Sequence, residues 1–200
     1  MTYEAVAFDL LTALLDSWTL WETIASGQGF AWRDRYLELT YGAGRYVPYE
    51  QLVEQAALDV GVGRGAADDL MERWDELTPW AETAEVLSAV AARVPVAVVT
   101  NCSTALARRA VDRLGVEIPI VVTAEHVGWY KPDPRPYREA LARLGRPAGS
   151  VLFVAGSVSD IGGAAGVGMD VFWHNRRGIA STDGRPGTEH RSLDPLVDLV

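Results

Sequence analysis

The chain has 200 residues, 48% hydrophobic and 22% charged, enough for one globular domain or a core with a modest insertion, and too apolar for general disorder. A net charge of -9 without any basic stripe argues against nucleic acid as a partner and favours small-molecule chemistry. The single cysteine, Cys102, cannot form an internal disulfide, no leader-like segment opens the chain, and apolar runs such as VPVAVV (94–99) are too short to span a bilayer, so a soluble cytoplasmic protein with no membrane partner is expected.

In chain order, the first predicted strand is EAVAFDL (4–10). About seventy residues follow, 15–81, with no comparable strand; SWTLWETIASG, FAWRDRYLELTYG, YEQLVEQAALDVG and AADDLMERWDEL read as helices punctuated by Gly or Pro. Strands then recur at 94–100, 118–123, 150–156 and 169–174, alternating with helical patterns at 81–94, 103–115 and 134–145. This alternation predicts an α/β fold, a doubly wound parallel-sheet core with a helical insertion after strand one. The expected division is a core of 1–14 and 82–200 and a helical cap of 15–81. Beyond 175, RRGIASTDGRPGTEHRS is turn-rich and reads as a surface loop.

Ligands of open α/β sheets bind outside the carboxyl ends of the strands, so the residues that end strands are the informative ones. They are Asp9, Thr100 with Asn101, Thr123, and the stretch from Gly156 to Asp160. The helix expected after TNCS would aim its N-terminal amides near Ser103 into the same crevice, where they favour an anion. Lys131 in GWYKPDPRPY follows the third core strand. His126, His174 and His190 share no short spacing, which argues against a zinc site, and Cys102 is expected to pack. Trp129, beside Lys131, is a candidate wall of the site.

A strand ending in Asp (FDLLTALLD), a strand ending in Thr (VVTN), a lysine before proline (YKPDPRPY) and an acidic turn after a strand (VAGSVSDIGGA) occur in this order. The set resembles the haloacid dehalogenase superfamily over nearly the whole chain. Phosphatases of that superfamily carry a second Asp two positions after the nucleophile and use Mg²⁺; Leu11 stands there instead, and Gly156 stands where a GD-type turn would place an acid. The chain is similar instead to the L-2-haloacid dehalogenase branch, whose first motif reads D-x-Y-G-T-L-x-D: Asp9, Leu14 and Asp16 match, whereas Leu11, Thr12 and Ala13 replace Tyr, Gly and Thr. AWRDRYLELTY resembles the branch's arginine-bearing helix and puts Arg33 at the residue that meets the substrate carboxylate or departing halide. In the last motif Val154, Asp160, Gly163 and Ala164 agree, while Ala155, Gly156 and Ser157 replace two serines and an asparagine.

The resemblance implies a hydrolase that needs no cofactor and acts on a small anionic substrate. Asp9 would attack the carbon bearing the halogen, beside Lys131, and Asp160 would help activate water for the ester. Arg33, Thr100, Asn101, Ser157, Tyr137 and Leu11 would form the substrate site, and a homodimer through the insertion is implied. A Mg²⁺-dependent phosphate-ester hydrolase and a ligand-binding homologue without turnover remain alternatives.

Overall fold

The computed structural model describes residues 2–180 and 188–200. Six parallel strands form one sheet: β1 (Ala5–Asp9), β2 (Val96–Thr100), β3 (Ile120–Thr123), β4 (Val151–Ala155), β5 (Asp170–His174) and β6 (Thr188–His190), in the order β3-β2-β1-β4-β5-β6. β1, β2 and β4 are buried along their whole length, as expected of strands covered on both faces. Val6 and Phe8 pack into one core layer, and Ala5 and Ala7 into the other.

The chain runs outward from β1 to β3 and then returns to the other side of β1 with β4. This reversal opens a crevice at the carboxyl ends of β1 and β4. Asp9 ends β1, and Asp160 lies in α9 (Val158–Ala165), which follows β4. The helices between the later strands are α5 (Thr83–Ala91), α6 (Thr104–Asp112), α7 (Ala124–Val127) and α8 (Pro134–Leu144).

Between β1 and β2 lie α1 (Ser17–Ile24), α2 (Gly29–Gly42), α3 (Tyr49–Asp59) and α4 (Arg64–Glu72). Their shared interior is aromatic. Trp21 meets Trp32 and Tyr36, Tyr36 meets Tyr49, and Tyr49 meets Trp74, with ring centroids 4.4–6.0 Å apart. Such contacts add roughly 0.5–1.5 kcal/mol each beyond burial. The chain leaves and re-enters the sheet region through two neighbouring segments, bridged at Leu15 and Pro79, with Asp16 N–H donating to Thr78 O at 2.8 Å and Trp80 N–H to Leu14 O at 3.2 Å.

Two expectations need correction. The segment after 175 is not loop throughout, because Thr188–His190 adds β6 to the sheet edge beside β5. Its three polar residues carry no apolar period, and only pairing with β5 makes them a strand; residues 181–187 of the expected loop lie outside the described residues. The first strand stops at Asp9, one residue before the expected end at Leu10. Leu10–Leu14 forms one π-helical turn, closed by Leu15 N–H donating to Leu10 O at 3.1 Å.

Candidate active site

The π turn is organised by the residue that precedes it. Asp9 Oδ2 accepts from Thr12 N–H at 2.9 Å, Ala13 N–H at 3.1 Å and the Thr12 hydroxyl at 2.6 Å. The carbonyls of the turn are also taken: the Ser17 hydroxyl donates to Leu11 O, Trp80 Nε1 to Thr12 O at 3.2 Å, His174 Nδ1 to Ala13 O at 2.8 Å, and Thr83 Oγ1 to Leu14 O at 2.9 Å. A buried wide turn exposes polar backbone that must find partners, and here the surrounding elements supply them.

Lys131 Nζ bridges two carboxylates, Asp9 Oδ1 at 2.8 Å and Asp160 Oδ2 at 3.0 Å, with lysine and Asp160 only 3% and 2% exposed. Asn101 places the lysine: its Oδ1 accepts from Lys131 N–H at 2.7 Å and its Nδ2 donates to Lys131 O at 3.2 Å. Tyr137 donates to Asp160 Oδ1 at 2.7 Å. The two acids are thereby pushed apart. Burial alone would raise the Asp9 carboxyl, but the charge and hydrogen bond of Lys131, together with the Thr12 donors, hold it below the ordinary value. Burial raises Asp160, and the neighbouring Asp9 charge adds to this against the opposing pull of Lys131 and Tyr137. Burial works against the Lys131 ammonium, yet the two carboxylates outweigh it and raise its pKa. The outcome is an ionised acid beside a more basic one, the division that nucleophile and proton acceptor require.

Arg33, from α2, enters the same crevice from the helical side. It is 5% exposed, donates from Nη1 to the Ser17 hydroxyl at 2.8 Å, and lies over the Trp18 ring at 4.4 Å and the Trp21 ring at 5.4 Å. Its Nε has no partner, and no carboxylate pairs with it among the described residues. Burial lowers its pKa from the ordinary guanidinium value, an energetic burden that an anion in the crevice would relieve. The crevice is a cavity of about 350 Å³ that includes Asp9, Leu11, Thr12, Arg33, Lys131 and Asp160 in its wall. Thr100, Asn101 and Ser157 also line it.

Some expected site groups lie elsewhere. Tyr137 is fully buried and does not line the cavity; its contact is with Asp160 rather than with a bound substrate. The start of α6 offers no free amide at Thr104, whose N–H donates to Glu125 at 2.7 Å, and the Ser103 hydroxyl turns to Glu50. Trp129 stacks on Arg135, its ring centroid 3.6 Å from the guanidinium carbon, and does not line the cavity. Cys102 is buried, and burial pushes its thiol up to about 12, as a packing role expects. Conversely, no motif points to Ser17 or Trp18, yet Ser17 links Arg33 to the π turn and Trp18 lines the cavity beneath Arg33. Their signal was the DSW junction, where Asp16 caps α1 and fixes both residues in its first turn.

The donor set does not suit a divalent cation. A hard cation requires several oxygen ligands, but Lys131 Nζ fills the space between the two carboxylates and Leu11 replaces the further acid. Among the described residues no group of three His, Cys, Asp or Glu could hold a metal.

Comparison with known proteins agrees with this architecture. Residues 3–168 match the model of the family described as haloacid dehalogenase-like hydrolase. A (S)-2-haloacid dehalogenase of Pseudomonas putida is 30% identical, with 98% of this chain and 96% of that protein covered. A crystal structure of a dehalogenase with an intermediate complex superposes with a TM-score of 0.88 at 27% identity, covering 100% of this chain and 97% of the other. The L-2-haloacid dehalogenase of Xanthobacter autotrophicus shares the fold, with a TM-score of 0.85 at 22% identity and 99% and 98% coverage. The chain belongs to the haloacid dehalogenase-like hydrolase family.

Proposed function

We propose that this protein hydrolyses the carbon–halogen bond of a small 2-haloacid, through an ester of Asp9, to the 2-hydroxy acid of inverted configuration. The observation that carries this reading is the Lys131 bridge between Asp9 and Asp160, set in one cavity with the buried, carboxylate-free Arg33. The Pseudomonas putida relative, named as a (S)-2-haloacid dehalogenase, supports the substrate class.

In this mechanism Arg33 binds the substrate carboxylate or the departing halide. Asp9 displaces the halide from the adjacent carbon; a carbon–oxygen bond forms and the halide leaves with the bonding pair. Water, oriented by Ser157, then adds to Cγ of the Asp9 ester while Asp160 accepts its proton. Cleavage of the ester bond on the carboxyl side returns Asp9, carrying the water oxygen; one of the two water protons ends on the product alkoxide and the other leaves to solvent, balancing the halide released in the first step. Lys131 keeps Asp9 ionised for the first step, and Asn101 fixes the lysine backbone. The chain's own side chains supply every group, so no cofactor enters.

In the same reading, 1–14 and 82–200 act as the catalytic core and 15–81 as a cap that carries Arg33. The protein works in the cytoplasm, where a free cysteine such as Cys102 persists, and as a homodimer. Exposed Phe30 and Leu58 on the cap helices support the pairing, which a solution mass measurement tests.

The deciding experiment offers racemic 2-chloropropionate and, separately, an aryl phosphate with Mg²⁺. Halide release that vanishes in Asp9→Asn is expected. Metal-dependent phosphate release without halide release would overturn the proposal.

A further inference from the structure

Asp9 presents two unequal oxygens. Oδ2 accepts three hydrogen bonds from its own turn, whereas among the described residues Oδ1 accepts from Lys131 alone. An oxygen whose lone pairs are committed to three donors is a poor nucleophile, so attack on the halogenated carbon falls to Oδ1. Oδ2 then becomes the carbonyl oxygen of the ester. When water adds to Cγ, negative charge collects on Oδ2, where two amides and one hydroxyl already point.

We infer that the Thr12 hydroxyl is the third donor of an oxyanion pocket for ester hydrolysis, a role that rests on the haloacid reading above. The hydroxyl is there because Gly156 leaves room for it. A β-carbon at 156 would fall 2.2 Å from Thr12 Oγ1, 2.4 Å from Ala13 N and 2.4 Å from the Thr12 carbonyl carbon. Thr12 and Gly156 are therefore one packing solution, with the side chain at 12 in the volume that a side chain at 156 would need. The hydroxyl missing at Ala13 is supplied one residue earlier, and its 2.6 Å contact is the shortest of the three on Oδ2.

This role has opposite signs in the two half-reactions. A donor on the carboxylate withdraws charge from the nucleophile, so its removal leaves the first step unchanged or faster. The same removal strips the tetrahedral intermediate of a donor and slows the second step.

The test compares wild type, Thr12→Val and Thr12→Ser on 2-chloropropionate, following halide by rapid quench and the Asp9 ester by intact mass. In Thr12→Val, steady-state turnover is expected to fall about 10²-fold, typical of one lost oxyanion donor, while the first equivalent of halide appears at least as fast as in wild type and the ester accumulates. Thr12→Ser keeps the hydroxyl and is expected to restore turnover without accumulation. If valine disturbs folding, Thr12→Ala makes the same chemical deletion with less bulk. Ester hydrolysis at wild-type rate in the hydroxyl-free variants, or equal loss in Thr12→Ser and Thr12→Val, would overturn the inference alone. Wild-type protein that releases no halide would overturn the haloacid reading and this inference with it.

Discussion

Tyr137 crosses Gly163 so closely that a β-carbon on the glycine would lie 2.5 Å from the tyrosine hydroxyl and 2.7 Å from the ring. The absent side chain lets the ring settle edge-on to Phe153, centroids 5.2 Å apart, with its hydroxyl on Asp160. Tyr137→Phe removes a donor that lowers the Asp160 pKa, so that pKa rises further. Since Asp160 must be ionised to take the proton from water, the rate falls as pH falls through its pKa. The acid limb of kcat should thus move to higher pH in Tyr137→Phe, and Gly163→Ala should reproduce the shift by displacing the ring. A pH–rate profile of both variants checks this; acid limbs identical to wild type would contradict it.

Lys131→Met leaves two buried carboxylates facing each other with no cation. Breaking a buried ion pair from one side costs about 3–5 kcal/mol, and the variant should lose that order of stability at neutral pH along with all turnover. Without the lysine, the folded carboxylates have raised pKa values and bind protons more readily than the unfolded chain does. Stability relative to wild type should therefore recover as pH falls toward those raised values. Urea unfolding at pH 5 and pH 8 measures the gap, which should be smaller at pH 5.

Arg33→Met should separate stability from activity. The guanidinium is buried without a carboxylate, and replacing such a charge by an apolar chain is commonly neutral or stabilising by about 1–4 kcal/mol. Activity should drop at least ~10²-fold, because an interaction with developing charge is lost. A thermal melt alongside halide release resolves the two. In wild type, a nonreactive carboxylate such as propionate should raise the melting temperature, and in Arg33→Met it should not.

Gly156→Ala forces a methyl against the backbone of Thr12 and Ala13, which cannot yield as a flexible side chain would. Overpacking of this kind costs about 1–3 kcal/mol. The turn is expected to move away from Asp9 Oδ2, with turnover falling more than stability. Chemical unfolding and steady-state kinetics on the same preparation compare the two losses.

The parallel sheet was legible because β1, β2 and β4 are apolar runs followed by helical periods, with Asp9 ending β1 and Asp160 in the first turn of the helix after β4. The lysine bridge was legible only through motif order, because nothing local in YKPDPRPY says that Lys131 turns inward. β6 was not legible, since a polar edge strand is defined by its neighbour. Thr12 departs from the branch's motif beside the nucleophile. Its compensation at Gly156 involves residues 144 positions apart, a pairing that only the packed structure exposes.

The paired crossing at Leu15 and Pro79 leaves Arg33 and Asp9 on different elements, joined through the Ser17 hydroxyl. One belongs to the helices beyond the crossing, the other to the sheet. A substrate carboxylate held by Arg33 with its α-carbon before Asp9 would span the crevice between them, at a separation fixed by the packing around it. Selectivity would then extend to the length of that span: a molecule with its carboxylate one carbon farther from the halogen could satisfy either end, but not both at once.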